Sequence, residues 1–235
     1  MSGKLEPDSR IKLGPRAPVW YRLSRRFFTL CAHVLFQVTL NGQANVPSGN
    51  YIVIANHLSW IDPFLLMIAL PPEPRLYFVG AQQAVNRGWK ARLMRRFDML
   101  IPFERGATWV GKEMLKKSLE VLRAGGVLGI FPEGTLGPQE GDLLPLQRGI
   151  GHLVLKGGCP VLPVALSGVK ELYLRKPVTI AIGKPFCIAS EGEDRHVQVD
   201  AAVERVTSEL RMLVPRYQEH KPAIKLFRRL TNLLG

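Results

Sequence analysis

Apolar residues recur along this chain in two rhythms. Short β-branched or aromatic runs bounded by Gly, Pro or Asn read as strands over 38–42, 51–55, 76–80, 100–106, 127–131, 161–166 and 178–182. Pro102 limits its run to a short or edge strand. Longer stretches with apolar positions at helical spacing predict helices over 18–36, 64–70, 89–97, 109–124, 149–156, 199–214 and 222–234. Gly125-Gly126 and Gly157-Gly158 mark two helix ends. Pro63 suits a first helical position, which would make Asp62 the N-cap. Residues 1–17 are polar, basic and rich in Pro and Gly, and are expected to be poorly ordered. Strands alternating with helices predict an α/β fold, a central mostly parallel sheet flanked by helices.

Charge adds a partner to this picture. The formal net charge is +13, and it is concentrated: residues 1–26 carry net +5, residues 87–123 net +6 and residues 211–235 net +5. Such clustering points to an anionic partner, either a phospholipid surface, a phosphorylated substrate or a nucleic acid. For nucleic acid the chain offers basic patches without a helix-turn-helix, zinc or single-strand-binding motif, so that partner is not expected. The three cysteines, Cys31, Cys159 and Cys187, match no disulfide or metal spacing and read as buried free thiols. The five histidines are scattered, so no zinc site is expected.

Two segments fit a membrane surface. No apolar run reaches the ~20 residues needed to span a bilayer; residues 27–40 would cover only about 21 Å as a helix. The helix predicted from residue 18 mixes Trp20, Tyr21 and Arg22 with an apolar stripe, as an interfacial helix requires. A buried core helix is the alternative. In the tail, Ile224, Phe227, Leu230, Leu233 and Leu234 share a face, with Lys225, Arg228 and Arg229 mostly opposite. The expected organisation is a basic segment and interfacial helix over 1–37, a main domain over 38–215, and a basic amphipathic helix over 216–235.

Candidate chemistry lies at strand exits. The run 51–55 leads into Asn56-His57-Leu58-Ser59-Trp60-Ile61-Asp62-Pro63. Five residues in one helix turn through about 500°, so His57 and Asp62 would not share a helical face. Across a turn they can meet, and a carboxylate on one ring nitrogen fixes the tautomer and raises the basicity of the other. His57 is thus a candidate general base; the competing reading is a helix cap and a polar loop residue. Arg105, in Ile101-Pro102-Phe103-Glu104-Arg105-Gly106, could grip a phosphate or pair with a nearby acid. Phe131-Pro132-Glu133-Gly134-Thr135 has turn chemistry, but a bare turn does not require its Glu. Glu133 could accept bonds from substrate hydroxyls or brace Arg105. Gln147-Arg148-Gly149 adds a cation before a helix, where anions are favoured. Val161-Leu162-Pro163-Val164 is a strand broken by Pro, either core or one wall of an acyl pocket.

In this order the four blocks resemble those of the glycerolipid acyltransferase family, whose best-known members are the lysophosphatidic acid acyltransferases. The blocks are Asn56-His57 with Asp62, Ile101-Pro102 with Arg105-Gly106, Phe131 to Thr135, and Val161 to Val164. The resemblance covers roughly residues 38–185. It implies that His57 deprotonates the acceptor hydroxyl, that Asp62 orients His57, and that the oxygen attacks an acyl thioester with no acyl-enzyme intermediate. Arg105 and Glu133 would bind the acceptor's phosphate and glycerol, with Gly134 and Thr135 completing that site and Arg148 adding to the phosphate contacts. No cofactor is implied; acyl-CoA or acyl-carrier protein is the co-substrate and a lysophospholipid the acceptor. The implied location is the cytoplasmic face of the cell membrane, peripheral or monotopic. Another lysolipid acceptor, or a non-catalytic protein that binds anionic lipid, is the alternative. The chain departs from the pattern at three places. Asp98-Met99-Leu100 stands where relatives often have a Gly before the Pro, Leu136-Gly137 where they often have Arg-Ser, and Arg148 where many have Lys. These bear on acceptor identity more than on reaction type.

Overall fold

The computed structural model describes residues 12–81, 99–103, 110–189, 194–214 and 225–227. The helices are α1 (Val19–Leu35), α2 (Asp62–Ala69), α3 (Val110–Arg123), α4 (Gly149–Gly157) and α5 (Arg195–Leu213). The strands are β1 (Phe36–Asn41), β2 (Ile52–Ala55), β3 (Leu76–Ala81), β4 (Leu100–Phe103), β5 (Val127–Ile130), β6 (Val161–Ser167) and β7 (Lys176–Ile182). The strands form one sheet in the order β1-β7-β6-β2-β5-β3-β4. Every pair is parallel except β6 with β7.

Two-residue alternation splits the buried side chains between two apolar layers. Val53 and Ala55 join Leu66 and Met67 of α2 and Ala32 of α1 on one face. Ile52 and Ile54 join Leu122 of α3, Leu153 of α4 and Val206 of α5 on the other. Because both faces are covered, the central strands read as continuous apolar runs. Pro163 does not break β6. Its carbonyl accepts from Gly183 N–H at 2.9 Å, just past Val164–Ile182, the last pair of the β6–β7 ladder. N–H and C=O of one strand residue point to the same side, so the N–H that Pro lacks falls where the ladder has ended.

Other expectations shift at their ends. β4 is the short edge strand that Pro102 implied. Helix α5 begins four residues before residue 199, because Asp194 caps it by accepting from His196 N–H at 2.7 Å. Residues 12–17 are ordered, contrary to the sequence reading. The Tyr77 hydroxyl bonds Gly14 N–H at 3.1 Å, Arg75 N–H donates to Pro15 C=O at 2.9 Å, and Ala17 N–H donates to Glu73 at 3.0 Å. The cysteines are free, as read, but none is fully buried and Cys187 is exposed. The helix expected over 89–97, Arg105, and all of the tail except 225–227 lie outside the described residues.

Helix α1 is anchored to α2. Its Arg25 guanidinium reaches Met67, Ile68 and Leu70 C=O at 3.0–3.2 Å, satisfying the open carbonyls at the α2 C-terminus. Phe28 packs on Phe64, with ring centroids 4.7 Å apart. The opposite face of α1 carries Trp20, Leu23, Phe27, Leu30 and Val34, all exposed; Phe27 is 61% and Leu30 64% accessible. Among the described residues no helix is long and apolar enough to cross a membrane.

Candidate active site

Strands β2, β5 and β6 are adjacent and parallel, so their carboxyl ends open onto one edge of the sheet. Ligands bind at that edge in open α/β sheets. Asn56 leaves β2 and clamps it to its neighbour: its amide donates to Leu166 C=O at 2.9 Å and accepts from Leu166 N–H at 2.8 Å. The next residue is His57.

The turn from 57 to 62 brings histidine and aspartate together. His57 Nδ1 lies 2.8 Å from Asp62 Oδ2. The same oxygen accepts from Leu58 N–H at 2.6 Å and Ser59 N–H at 2.8 Å. Asp62 is therefore not the N-cap that the sequence suggested. It is the first residue of α2, and its carboxylate reaches back over the turn instead of forward to the free amides of the helix. Asp62 is fully buried. Burial pushes its carboxyl above the ordinary range, against the pull of His57 and the two amides. With the Nδ1 proton donated to Asp62, Nε2 is left as a proton acceptor, and it has no partner among the described residues. The ring is 21% exposed and stacks on Phe131, centroids 4.1 Å apart, which in turn stacks on Phe78.

The loop after β5 holds this turn from the other side. Glu133 Oε1 accepts from His57 N–H at 2.8 Å, and Oε2 accepts from Leu144 N–H at 2.9 Å. Glu133 is 2% exposed, and burial raises its carboxyl against those two amides. Its carboxylate braces the histidine's own backbone, where the sequence reading had offered substrate hydroxyls or Arg105. Gly134 has φ 73°, a left-handed turn position that suits glycine, and both it and Thr135 are exposed beside the site. Gly137 N–H donates to His57 C=O at 2.6 Å.

Arg148 goes elsewhere. Its guanidinium pairs with Asp200 of α5 at 2.9 and 3.1 Å, with both side chains more than half exposed. That pair borders a cleft of about 760 Å³ whose lining includes Leu146, Thr207 and Arg211 but not His57, Asp62 or Glu133. β4 ends at Phe103 on the active edge, two residues before Arg105. Among the described residues no group of three His, Cys, Asp or Glu side chains could hold a metal ion.

The acyltransferase family model matches residues 37–167. The chain belongs to the acyltransferase family. It is 26% identical over 153 residues to the 1-acyl-sn-glycerol-3-phosphate acyltransferase of Bacillus subtilis, an alignment covering 63% of this chain and 73% of the relative. It is 31% identical over 145 residues to the enzyme of that name from Saccharomyces cerevisiae, covering 59% of this chain and 46% of the relative. The chain thus spans less than half of the yeast relative. The crystal structure of PlsC, the 1-acyl-sn-glycerophosphate (LPA) acyltransferase from Thermotoga maritima, superposes with a TM-score of 0.62 at 21% identity, covering 83% of this chain and 81% of that one. The acyltransferase therefore shares that protein's fold.

Some residues that build this site carried no assigned role in the sequence reading. Asn56 and Phe131 lay inside the motifs. Gly137, Glu140 and Lys170 lay outside them, and only the fold brings them near His57.

Proposed function

We propose that this acyltransferase moves a fatty acyl group from acyl-CoA or acyl-carrier protein to the free hydroxyl of lysophosphatidic acid, giving phosphatidic acid at a membrane surface. The observation that carries the proposal is the His57–Asp62 pair at the carboxyl edge of the sheet, with Nε2 open. Nε2 takes the acceptor's hydroxyl proton as the oxygen attacks the thioester carbonyl. The C–S bond breaks, and the departing thiolate takes the proton back from the imidazolium. Buried Asp62 stabilises that imidazolium and holds the ring in the reactive tautomer. The names of the aligned relatives support lysophosphatidic acid as the acceptor. Arg105 is the candidate phosphate ligand. Arg148 joins it only by leaving Asp200. Glu133 supports catalysis through the backbone of His57, with Gly134 and Thr135 at the acceptor side of the loop.

The exposed stripe of α1 supports a peripheral or monotopic seat on a membrane surface; the cytoplasmic face is part of the proposal. Trp20, Phe27 and Leu30 enter the lipid boundary, while exposed Arg26 meets anionic headgroups; Arg22 is paired with Glu73. Because Arg25 and Phe28 tie α1 to α2, and α2 starts at Asp62, the membrane face is coupled rigidly to the site.

The test is thiol release from acyl-CoA and acyl-carrier protein, with and without lysophosphatidic acid, for the native chain and His57→Ala. Acceptor-dependent release that disappears in the variant supports the proposal. Release without acceptor dependence redirects it to other hydroxylated lipids. No release from folded protein in lipid favours a non-catalytic lipid-binding protein.

A further inference from the structure

The catalytic loop is gripped from a second direction by residues outside every motif named above. The turn that leaves β6, residues 168–170, sits beside the loop that follows β5. Glu140 crosses between them: its two carboxylate oxygens accept from Gly168 N–H at 3.1 Å and Lys170 N–H at 2.7 Å. The Lys170 side chain then crosses back. Its ammonium donates to Gly137 C=O at 2.6 Å. Gly137 N–H in turn donates to His57 C=O at 2.6 Å.

We propose that Lys170, seated by Glu140, is a positioning residue for His57, acting through the backbone of Gly137. This rests on the reading of His57 as the general base. Three observations carry it. First, Gly137 is held at both ends, its carbonyl by a cation and its N–H by the histidine's carbonyl, so moving one bond moves the other. Second, a Cβ at Gly137 would stand 3.3 Å from His57 O and 3.4 Å from Leu58 Cδ2, so this close approach is made at a residue without a side chain. Third, the turn that presents Lys170 has little freedom. Gly168 has φ 81°, and a Cβ there would lie 2.1 Å from Pro177 C=O. A Lys–carbonyl bond is charge-assisted and stronger than a neutral one. Together with the Asn56–Leu166 clamp, β6 and its turn grip the catalytic loop both before His57 and behind it.

A 1 Å displacement of a reacting group is enough to lower a rate about 10²-fold. The expected effect of Lys170→Met is a fall in kcat of about tenfold or more, with KM for both substrates within about twofold. Lys170→Arg, which can still donate to the carbonyl, restores most of it. Rates are expressed per folded molecule, with the folded fraction taken from thermal melts. The second readout is the low-field proton NMR signal of His57 Nδ1–H, identified by its loss in His57→Ala. It is expected to broaden or shift in Lys170→Met and to return in Lys170→Arg. If Lys170→Met does not fold, Lys170→Gln, whose amide is one bond too short to reach the Gly137 carbonyl, is measured in its place against the same criteria. A lower melting temperature with unchanged kcat per folded molecule and an unchanged Nδ1 signal overturns the proposal. If the native chain transfers no acyl group to any acceptor, the proposed reaction fails, and the NMR comparison alone decides whether Lys170 positions the ring.

Discussion

Glu133→Gln separates two accounts of the most buried acid in the Phe-Pro-Glu-Gly-Thr loop. The carboxylate serves two amides at once, His57 N–H at 2.8 Å and Leu144 N–H at 2.9 Å. Glutamine keeps one acceptor oxygen and turns an NH2 group toward the other amide, so donor faces donor. One hydrogen bond to a charged group is lost, about 1.5–3 kcal/mol. For a chain of this size each kcal/mol moves the melting temperature by about 2–4 °C, so a fall of about 3–12 °C is expected. Either way the brace on His57 loosens: its own backbone tie is lost, or side chain 133 loses its anchor at Leu144 and carries the His57 bond with it. kcat is therefore expected to fall at least about tenfold, with KM for the acceptor changing less than about threefold. The assay pairs a thermal melt followed by tryptophan fluorescence with steady-state thiol release at varied lysophosphatidic acid. An unchanged melting temperature with KM raised tenfold and kcat preserved would refute the reasoning. That pattern belongs to a side chain that binds substrate directly.

Three further outcomes follow from the same geometry. Asp62→Asn removes the charge that faces Nδ1 and is expected to lower kcat by about 10²- to 10⁴-fold; a loss under fivefold in steady-state kinetics would mean the ring does not depend on that carboxylate. Phe27→Glu with Leu30→Glu places two charges on the exposed face of α1 and is expected to cut flotation with anionic vesicles at least about tenfold while circular dichroism stays the same; equal flotation would put the membrane contact elsewhere. Burial raises the Glu140 carboxyl, so the folded chain binds that proton at a pH where the unfolded chain has released it. Stability from this group therefore increases as pH falls from its raised value toward the ordinary glutamate value near 4.3, and the penalty is full above the raised value. Melting temperatures of the native chain minus those of Glu140→Gln are expected to climb on acidification through that window; a difference that is flat or falls contradicts the assignment.

What the sequence revealed and what it hid divide by distance along the chain. The meeting of His57 with Asp62 was legible because five residues across a turn leave few geometries. The direction of the Asp62 carboxylate was not. Pro63 after Asp62 also fits a helix cap, and only the structure shows Leu58 and Ser59 N–H converging on Oδ2. The antiparallel pairing of β7 was in principle readable. Residues 168–175 are too few for the crossover of a dozen or more that a parallel neighbour requires. Glu133 was recognisable as more than turn chemistry, yet its partners lie 76 and 11 residues away, and no local pattern tells a carboxylate which backbone it will face.

The acids that the motifs single out divide the work in a way their spacing could not show. Asp62 acts on the ring, whereas Glu133 acts on the backbone that carries the ring. A side chain fixed only by its own rotamer can swing; one whose backbone N–H and C=O are both held cannot easily do so. His57 has both held, by Glu133 and Gly137, within a turn already gathered by Asp62. The open group in this arrangement is Nε2, which is where the proposed reaction needs a proton accepted. The same turn starts α2, and α2 is fastened to α1 by Arg25. An acceptor lipid lying in the plane that α1 defines would therefore meet a base whose position relative to that plane is set by the fold, not found anew at each encounter.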